Sequence, residues 1–473
     1  MRQADGNRQQ HFPKNSAAPA LVFDITTLSQ RAHLRPTGID RIQLEIAMEL
    51  VEQGPSHVAF CTYNSRYQRF DRVSSLTVQE LGRRMRGAAS PSQDQPGSSR
   101  TRTAANSGLR FGRSITRRLA RRFPKAMPHL RGAASHGVRA FVEAAKSLRC
   151  LGTDLAARWR KPAELGAACF TREWTAETTY CSVGMDWAHN DLELVAKRKS
   201  SQGFRTALMV HDLLDSVAPQ YSGVNHDNYF LAVLAVADTV IVNSDATFRD
   251  LGVFAADHNM PVPDVAKLPM GSILADLARE RSGSINSEID GRYILCVGTL
   301  TIRKNHHLLF DVWERMIAER SADDVPTLIV AGAKGWISDE TISRLTRTPA
   351  FKGIVHHIPD ATDENIAWLY QHCAFTVYPS FYEGWGLPVS ESHDFGKLCL
   401  TTDRSSLPEA GEGLADLLDP YDRRLWLERI VHFWNDKEAR SEREHRIRHD
   451  HVRVTARDSA DAILETAGLS RYT

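Results

Sequence analysis

"FYEGWGLPVSES", residues 381–392, sets Glu383 and Glu391 eight positions apart, with Gly384, Gly386 and Pro388 between them. Glycine and proline at this density mark a turn. The flanking segments, "CAFTVYPS" before it and "KLCLTT" after it, are short apolar runs that read as strands. Pro388 suits the first turn of a helix, where its missing N–H costs nothing, and Gly396 suits a helix end. The stretch therefore reads as a strand–loop–helix unit, the repeating piece of a parallel α/β sheet. On this reading Glu383 lies in the loop and Glu391 in the first helical turn. Both carboxylates are unneutralised locally and can point toward a ligand above the helix N-terminus.

The same alternation extends in both directions. Toward the N-terminal side, "RYILCVGTL" (292–300), "TLIVAGAKGW" (327–336) and "IVHHIP" (354–359) read as strands of the same sheet. A second series begins with "ALVFDI" (20–25), followed by "GIDRIQLEIAMEL" (38–50) with a helical stripe at 39, 42, 46 and 50. Its further strands are expected at 57–62, 179–183, 206–210 and 238–242. The expected organisation is a disordered N-terminus (1–19), an α/β domain (20–275), a polar linker (276–290), a second α/β domain (291–445) and a C-terminal helix (446–473). Ligands of open parallel sheets sit at the carboxyl ends of the strands, so two such domains facing each other would bind at a cleft.

With 473 residues the chain is too long for one ordinary core. Its formal net charge of +2 conceals a segregation: residues 83–161 hold nineteen Lys and Arg against three Asp and Glu, about +16, leaving about −14 for the rest. Residues 87–108 are biased to Ser, Pro, Gly and Arg, which suggests disorder. Beyond them Ile115, Leu119 and Phe123 recur among Arg117, Arg118, Arg121 and Arg122, a basic amphipathic pattern suited to an anionic membrane surface over 114–151. A helix packed on the first domain, or a solvated insertion, is the alternative. No recognisable nucleic-acid motif accompanies the charge, and no nucleic acid is expected as a partner.

Seven cysteines at 61, 150, 169, 181, 296, 373 and 399 form no CxxC pair and number an odd total, which argues for a reducing cytoplasm. The N-terminus lacks the apolar core of a signal peptide. The longest apolar run, "YFLAVLAVADTVIV" (229–242), has 14 residues and contains Asp238, too short and too polar to span a bilayer. The expected location is cytoplasmic, with peripheral attachment to the inner face of the cytoplasmic membrane as a further reading.

Three features carry chemistry. In "VGTLTIRKNHHLL" (297–309) a strand ends at Gly298, a loop delivers Arg303 and Lys304, and a helix with unpaired N-terminal amides follows. A planar fork beside a point charge suits a diphosphate, although most such pairs are solvated surface. Glu383 and Glu391 can accept hydrogen bonds from a vicinal diol, or can simply face a helix dipole. Gly384 and Gly386 strip the loop of side chains, which would let backbone amides approach a ligand.

Taken together, "FYEGWGLPVSESHDFGKLCLTTDRSSLPEAGEGLADLLDP" resembles the E-x7-E signature of the retaining nucleotide-sugar glycosyltransferases of family 4. That family has the GT-B fold, two Rossmann-like domains facing a cleft. "VGTLTIRKN" is similar to its donor-diphosphate loop, and "VHDLLDSVAPQY", "ADTVIVNSDATFRDL" and "PMGS" to its later N-domain. "FDITTL" and "RPTGIDRIQLEI" resemble the start of a subgroup tied to bacterial polysaccharide assembly. The likeness covers about 20–70 and 178–470, and the basic insertion 83–161 matches nothing in the family.

The resemblance implies that Glu391 binds the ribose diol and Glu383 the hydroxyls of the transferred sugar. Arg303 and Lys304 would hold the diphosphate, and the amides of Gly384, Trp385, Gly386 and Leu387 would line the sugar. Gly38 would face the phosphates or the acceptor. His211, in "HD" after an apolar strand, matches a position near the reacting centre, where a structural role is equally open. The implied donor is a nucleotide-diphosphate sugar, with a preference for the GDP-mannose type, and the implied acceptor is a polysaccharide or lipid-linked glycan.

The chain contains no Asp-x-Asp triplet, so neither metal nor cofactor is expected, and Arg303, Lys304 and helix N-termini take the cation's place. Two departures stand out: Thr299 follows Gly298 where many relatives have Arg, and the last helix lacks the aromatic that often precedes it. A glycosidase would also use two carboxylates, but the basic pair favours a phosphorylated donor. A non-catalytic GT-B-shaped scaffold of a polysaccharide assembly complex, and nucleic-acid binding through the insertion, are the remaining alternatives.

Overall fold

The computed structural model describes residues 18–34, 36, 38–54, 56–87, 170, 173–280, 292–321, 324–335 and 339–469. Residues 1–17 of the expected disordered N-terminus, 88–108 of the segment expected to be disordered, and the basic amphipathic pattern of 114–151 lie outside the described residues.

Two sheets organise the chain. The first has seven strands in the order β3-β2-β1-β4-β5-β6-β7: β1 Leu21–Asp24, β2 Val58–Asn64, β3 Arg69–Val73, β4 Thr179–Ser182, β5 Arg205–Val210, β6 Thr239–Val242 and β7 Asp264–Lys267. All neighbours are parallel except β2 and β3, which pair antiparallel at the edge. The second has six parallel strands in the order β10-β9-β8-β11-β12-β13: β8 Tyr293–Val297, β9 Thr327–Ala331, β10 Val355–Ile358, β11 Phe375–Tyr378, β12 Cys399–Thr402 and β13 Asp416–Leu418. Apart from the antiparallel edge strand β3, both sheets have the doubly wound order, in which the chain returns to the middle strand and then builds outward the other way. A crevice opens at that reversal, between β1 and β4 and between β8 and β11.

The central strands β1, β4, β8, β11 and β12 are buried at every position, as expected for strands covered on both faces by helices. The strands that the sequence conceals are at the edges. "RFDRV" of β3 alternates charge with apolar residues and buries only Phe70 and Val73, and β7 and β13 are four and three residues long. Short, charged edges resist pairing with other chains, and for the same reason they leave little hydrophobic signal.

The C-terminal region, expected as one helix over 446–473, is two helices, Lys437–Asp450 and Ala456–Thr466. Between them His451 donates to Asp394 (2.9 Å) and Glu412 (3.0 Å), and Arg453 reaches Asp276 at 2.7 Å. Burial opposes the charge on His451, but the two carboxylates raise it to about 9. Thr455 and Asp458 form a capping box that starts the last helix. That helix packs on helix Gly38–Glu52 of the first domain, and Ala460, Ile463 and Leu464 enter its core. Aliphatic side chains thus do the docking that the missing aromatic would have done. Among the described residues no helix is long and apolar enough to cross a membrane.

Ile463 is 1 % exposed, so Ile463→Ala removes buried methyl groups from that contact and leaves a cavity. A loss of about 2–5 kcal/mol in urea-unfolding stability is expected. A loss below about 1 kcal/mol would mean that the last helix is not held by this core.

Candidate active site

At the reversal of the second sheet, two loops meet. β8 runs out through Gly298 into the short 3-10 turn Ile302–Lys304, which Asn305 ends in a left-handed conformation (φ 53°) before helix His306–Glu319. Asparagine tolerates that conformation, and its side chain is anchored on the carbonyl of Pro420 (3.1 Å). β11 ends at Tyr378, and the loop that follows carries Glu383 into helix Leu387–Asp394.

Glu383 stands between the two cations of the first loop. Its Oε2 pairs with Arg303 and its Oε1 with Lys304 Nζ at 2.7 Å. Oε1 also accepts from Ser380 Oγ (2.6 Å) and Tyr378 Oη (2.9 Å), and Lys304 also contacts the Tyr378 hydroxyl. Burial would raise the Glu383 carboxyl, but Arg303 and then Lys304 outweigh it and hold it near 2. Burial pulls Lys304 down to about 8 despite Glu383. Arg303 is additionally fixed by donating to the Tyr382 carbonyl (2.6 Å). The expectation of an unneutralised carboxylate is therefore corrected for Glu383. The spacing of Glu383 and Glu391 gave no hint of partners some eighty residues earlier in the chain.

The glycines also have a steric cause that the sequence did not suggest. A side chain on Gly384 would run into the carbonyl of His211, which also accepts from Asn243 Nδ2 at 2.8 Å. Gly384 is thus small because the opposite domain presses on it. Gly386 caps the helix at φ 110°, in the region that favours glycine, and a Cβ there would lie 2.6 Å from Leu407. Trp385 and Leu387 pack against the core of the first domain. Among the described residues the amides of Gly384, Trp385, Gly386 and Leu387 make no hydrogen bond, so a helix N-terminus and three preceding N–H groups stay available to an anion or a sugar oxygen.

Glu391 is the fifth residue of its helix, so its expected position in the first turn is corrected to the second. It is 3 % exposed and accepts from Tyr370 Oη (3.0 Å) and Ser272 Oγ (3.2 Å), the latter from the far end of the first domain. Burial raises its carboxyl. An ionised carboxylate has about four acceptor positions, which leaves room here for two further donors. Gly38 opens helix Gly38–Glu52 within van der Waals reach of Leu387, so two helix N-termini approach each other across the cleft.

His211 is buried, and its Nε2 lies 3.1 Å from the Val183 carbonyl and 3.2 Å from that of Gly184. Two acceptors at one nitrogen fix the proton there, and burial pulls the imidazole to about 4, so the ring is neutral at pH 7. Its Nδ1 makes no hydrogen bond among the described residues. Ser272, Tyr370, Tyr378, Ser380 and Ser405, whose Oγ accepts the Glu383 amide at 2.8 Å, escape the sequence reading. Ser272 belongs to "PMGS", and Tyr378 and Ser380 lie within five residues of Glu383, so proximity in sequence was their only signal. Among the described residues no group of three or more His, Cys, Asp or Glu side chains is arranged to hold a metal ion.

Residues 279–450 match the family described as "Glycosyl transferases group 1". The chain is similar to O-antigen chain mannosyltransferase B of Escherichia coli, 32 % identical over 130 residues, which cover 28 % of this chain and 33 % of that protein. A serotype-specific mannosyltransferase, WbdA of Escherichia coli, is 25 % identical over 222 residues, 43 % of this chain and 27 % of that protein. These matches span about a third and a quarter of the relatives' lengths. Among solved structures, Anabaena HepE, in complex with UDP and glucose, superposes with a TM-score of 0.53 at 14 % identity, covering 95 % of this chain and 99 % of that one. The fold is GT-B, as the sequence resemblance implied.

Glu383→Gln leaves Arg303 and Lys304 adjacent and without their carboxylate, which costs on the order of 3 kcal/mol at pH 7. Because the folded-state carboxyl is depressed to about 2, its contribution is present above about pH 4.5 and is lost as the pH falls from there through 2. Urea unfolding of wild type and variant should converge at the acid end of that window. Equal stability at pH 7 would contradict the ion triad.

Proposed function

We propose that this chain is a retaining glycosyltransferase that moves a hexose from a nucleotide-diphosphate sugar, of the GDP-mannose type by preference, to a glycan or lipid-linked glycan acceptor. The observation that carries the proposal is the Arg303–Glu383–Lys304 triad, its carboxylate buried and its cations partly so, beside four unpaired amides at the start of helix Leu387–Asp394. The names of the Escherichia coli relatives support a mannosyl donor, and the family resemblance supports retention.

In this reading the diphosphate enters where two cations are shared by one carboxylate, so it meets a net positive charge without first displacing Glu383. Negative charge grows on the phosphate as the glycosidic bond breaks, and fixed cations and helix N-termini stabilise that charge most where it is largest. Glu383, held ionised, accepts from hydroxyls of the departing sugar in place of Ser380 and Tyr378, since Arg303, Lys304 and those two hydroxyls fill its four acceptor positions beforehand. Glu391 accepts two from the ribose diol with its remaining positions. A phosphate oxygen on the leaving-group face takes the acceptor proton, so no protein base is needed, and neutral His211 offers Nδ1 as an acceptor to a sugar hydroxyl.

Thermal-shift screening against GDP, UDP and ADP tests the donor class, since a ligand of the folded state raises its melting temperature by mass action. GDP is expected to give the largest shift, and no shift with any of the three would contradict the proposal. Glu391→Ala should weaken nucleoside diphosphate binding about tenfold or more, because the ribose hydroxyls lose a charged acceptor. Affinity should also fall as the pH rises through about 8, where Lys304 loses its proton, and Lys304→Met should abolish that dependence. A calorimetric affinity that is flat from pH 7 to 9.5 in wild type would remove Lys304 from the site.

A further inference from the structure

The loop that carries Glu383 has a second face. Phe381 and Tyr382 form one side of an open pocket of about 610 Å³, whose other sides are the first turns of helix Asp245–Asp257 of the first domain and Asp403, Arg404, Ser405, Pro408 and Glu409 of the second. That volume lies within the range of small-ligand sites, roughly 300–1,000 Å³. The cavity adjoins the site described above, because Ser405, which lines it, accepts the Glu383 amide.

Its charges are mostly spent. Lys267 binds both Asp245 (3.1 Å) and Glu409, and Arg404 holds Asp403 (3.2 Å) and Asp419 (3.1 Å). Two groups remain. Arg249 makes no ion pair or hydrogen bond among the described residues, and Asp250 accepts from Tyr382 Oη (2.6 Å) without a cationic partner. Val217 and Pro408 supply apolar surface beside them. Four carboxylates in the lining disfavour a polyanion, and the guanidinium and carboxylate disfavour a purely apolar guest. A neutral polyol satisfies both: its hydroxyls donate to Asp250 and accept from Arg249, and its C–H faces cover Val217 and Pro408.

We infer that this cavity is a carbohydrate subsite that holds a stretch of the acceptor glycan away from the sugar that reacts. Identifying the guest as acceptor rests on the glycosyl-transfer reading above, whereas the binding of a neutral oligosaccharide does not. Since the occupant lies against Tyr382 and Ser405, longer acceptors gain contacts that a single sugar lacks.

Calorimetric titration of the full chain with a mannose tetrasaccharide, methyl mannoside and GDP tests the inference. The tetrasaccharide should bind wild type at least tenfold more tightly than methyl mannoside, equivalent to about 1.4 kcal/mol. Arg249→Ala, on an exposed position of a surface helix, should remove most of that advantage, and Val217→Trp, which narrows the cavity, should do the same; neither should change GDP affinity. Absence of tetrasaccharide binding by wild type, or equal binding by wild type and both variants, overturns the subsite. Tetrasaccharide binding that depends on Arg249 in a protein that ignores GDP would instead count against the donor reading and leave the subsite standing.

Discussion

Two cations and a carboxylate, Arg303, Lys304 and Glu383, meet at the point where the second sheet reverses its strand order, the carboxylate buried and the cations partly so. None of the three could be left alone there, since an unpaired charge held largely out of water is costly. The surrounding hydroxyls and carbonyls follow from that constraint: Tyr378 and Ser380 occupy acceptor positions of the carboxylate, the Tyr382 carbonyl accepts a hydrogen bond from the guanidinium, and Ser405 fixes the backbone. The result is a charged site whose geometry is held before any ligand arrives. Such preorganisation is what makes electrostatic stabilisation of a leaving group effective.

The same loop joins the two domains. Gly384 abuts the His211 carbonyl, Phe381 stacks on Tyr221 with ring centres 4.7 Å apart, and Tyr221 and Tyr421 share a hydrogen bond of 2.9 Å. Ser272 reaches Glu391 from the first domain, and the last helix returns to that domain's core. Both carboxylates of the opening stretch are therefore positioned partly by the domain opposite. A change in the angle between the domains would alter both sites together.

The sequence made much of this legible. The central strands are apolar runs broken by turn residues, and burial on both faces is the reason they stand out. The glutamate-bearing loop could be assigned to a strand–loop–helix unit from the apolar runs on either side together with Pro388 and Gly396. Edge strands β3, β7 and β13 did not stand out, because an edge needs charge or brevity more than hydrophobicity. Contacts distant in sequence were equally silent. Nothing in "FYEGWG" indicates that Arg303 and Lys304 neutralise Glu383, or that a side chain on Gly384 would meet the His211 carbonyl. Glycine patterns report that space is short without saying what fills it.

The central claim is that the triad and the adjoining helix N-terminus receive the diphosphate of a sugar donor. A crystal structure of the chain with a bound nucleoside diphosphate tests it most directly. The account predicts the outer phosphate within hydrogen-bond reach of Arg303, Lys304 and the amides of residues 384–387, with the ribose hydroxyls on Glu391. A nucleotide bound elsewhere, with Arg303 and Lys304 still engaged only by Glu383, would contradict it.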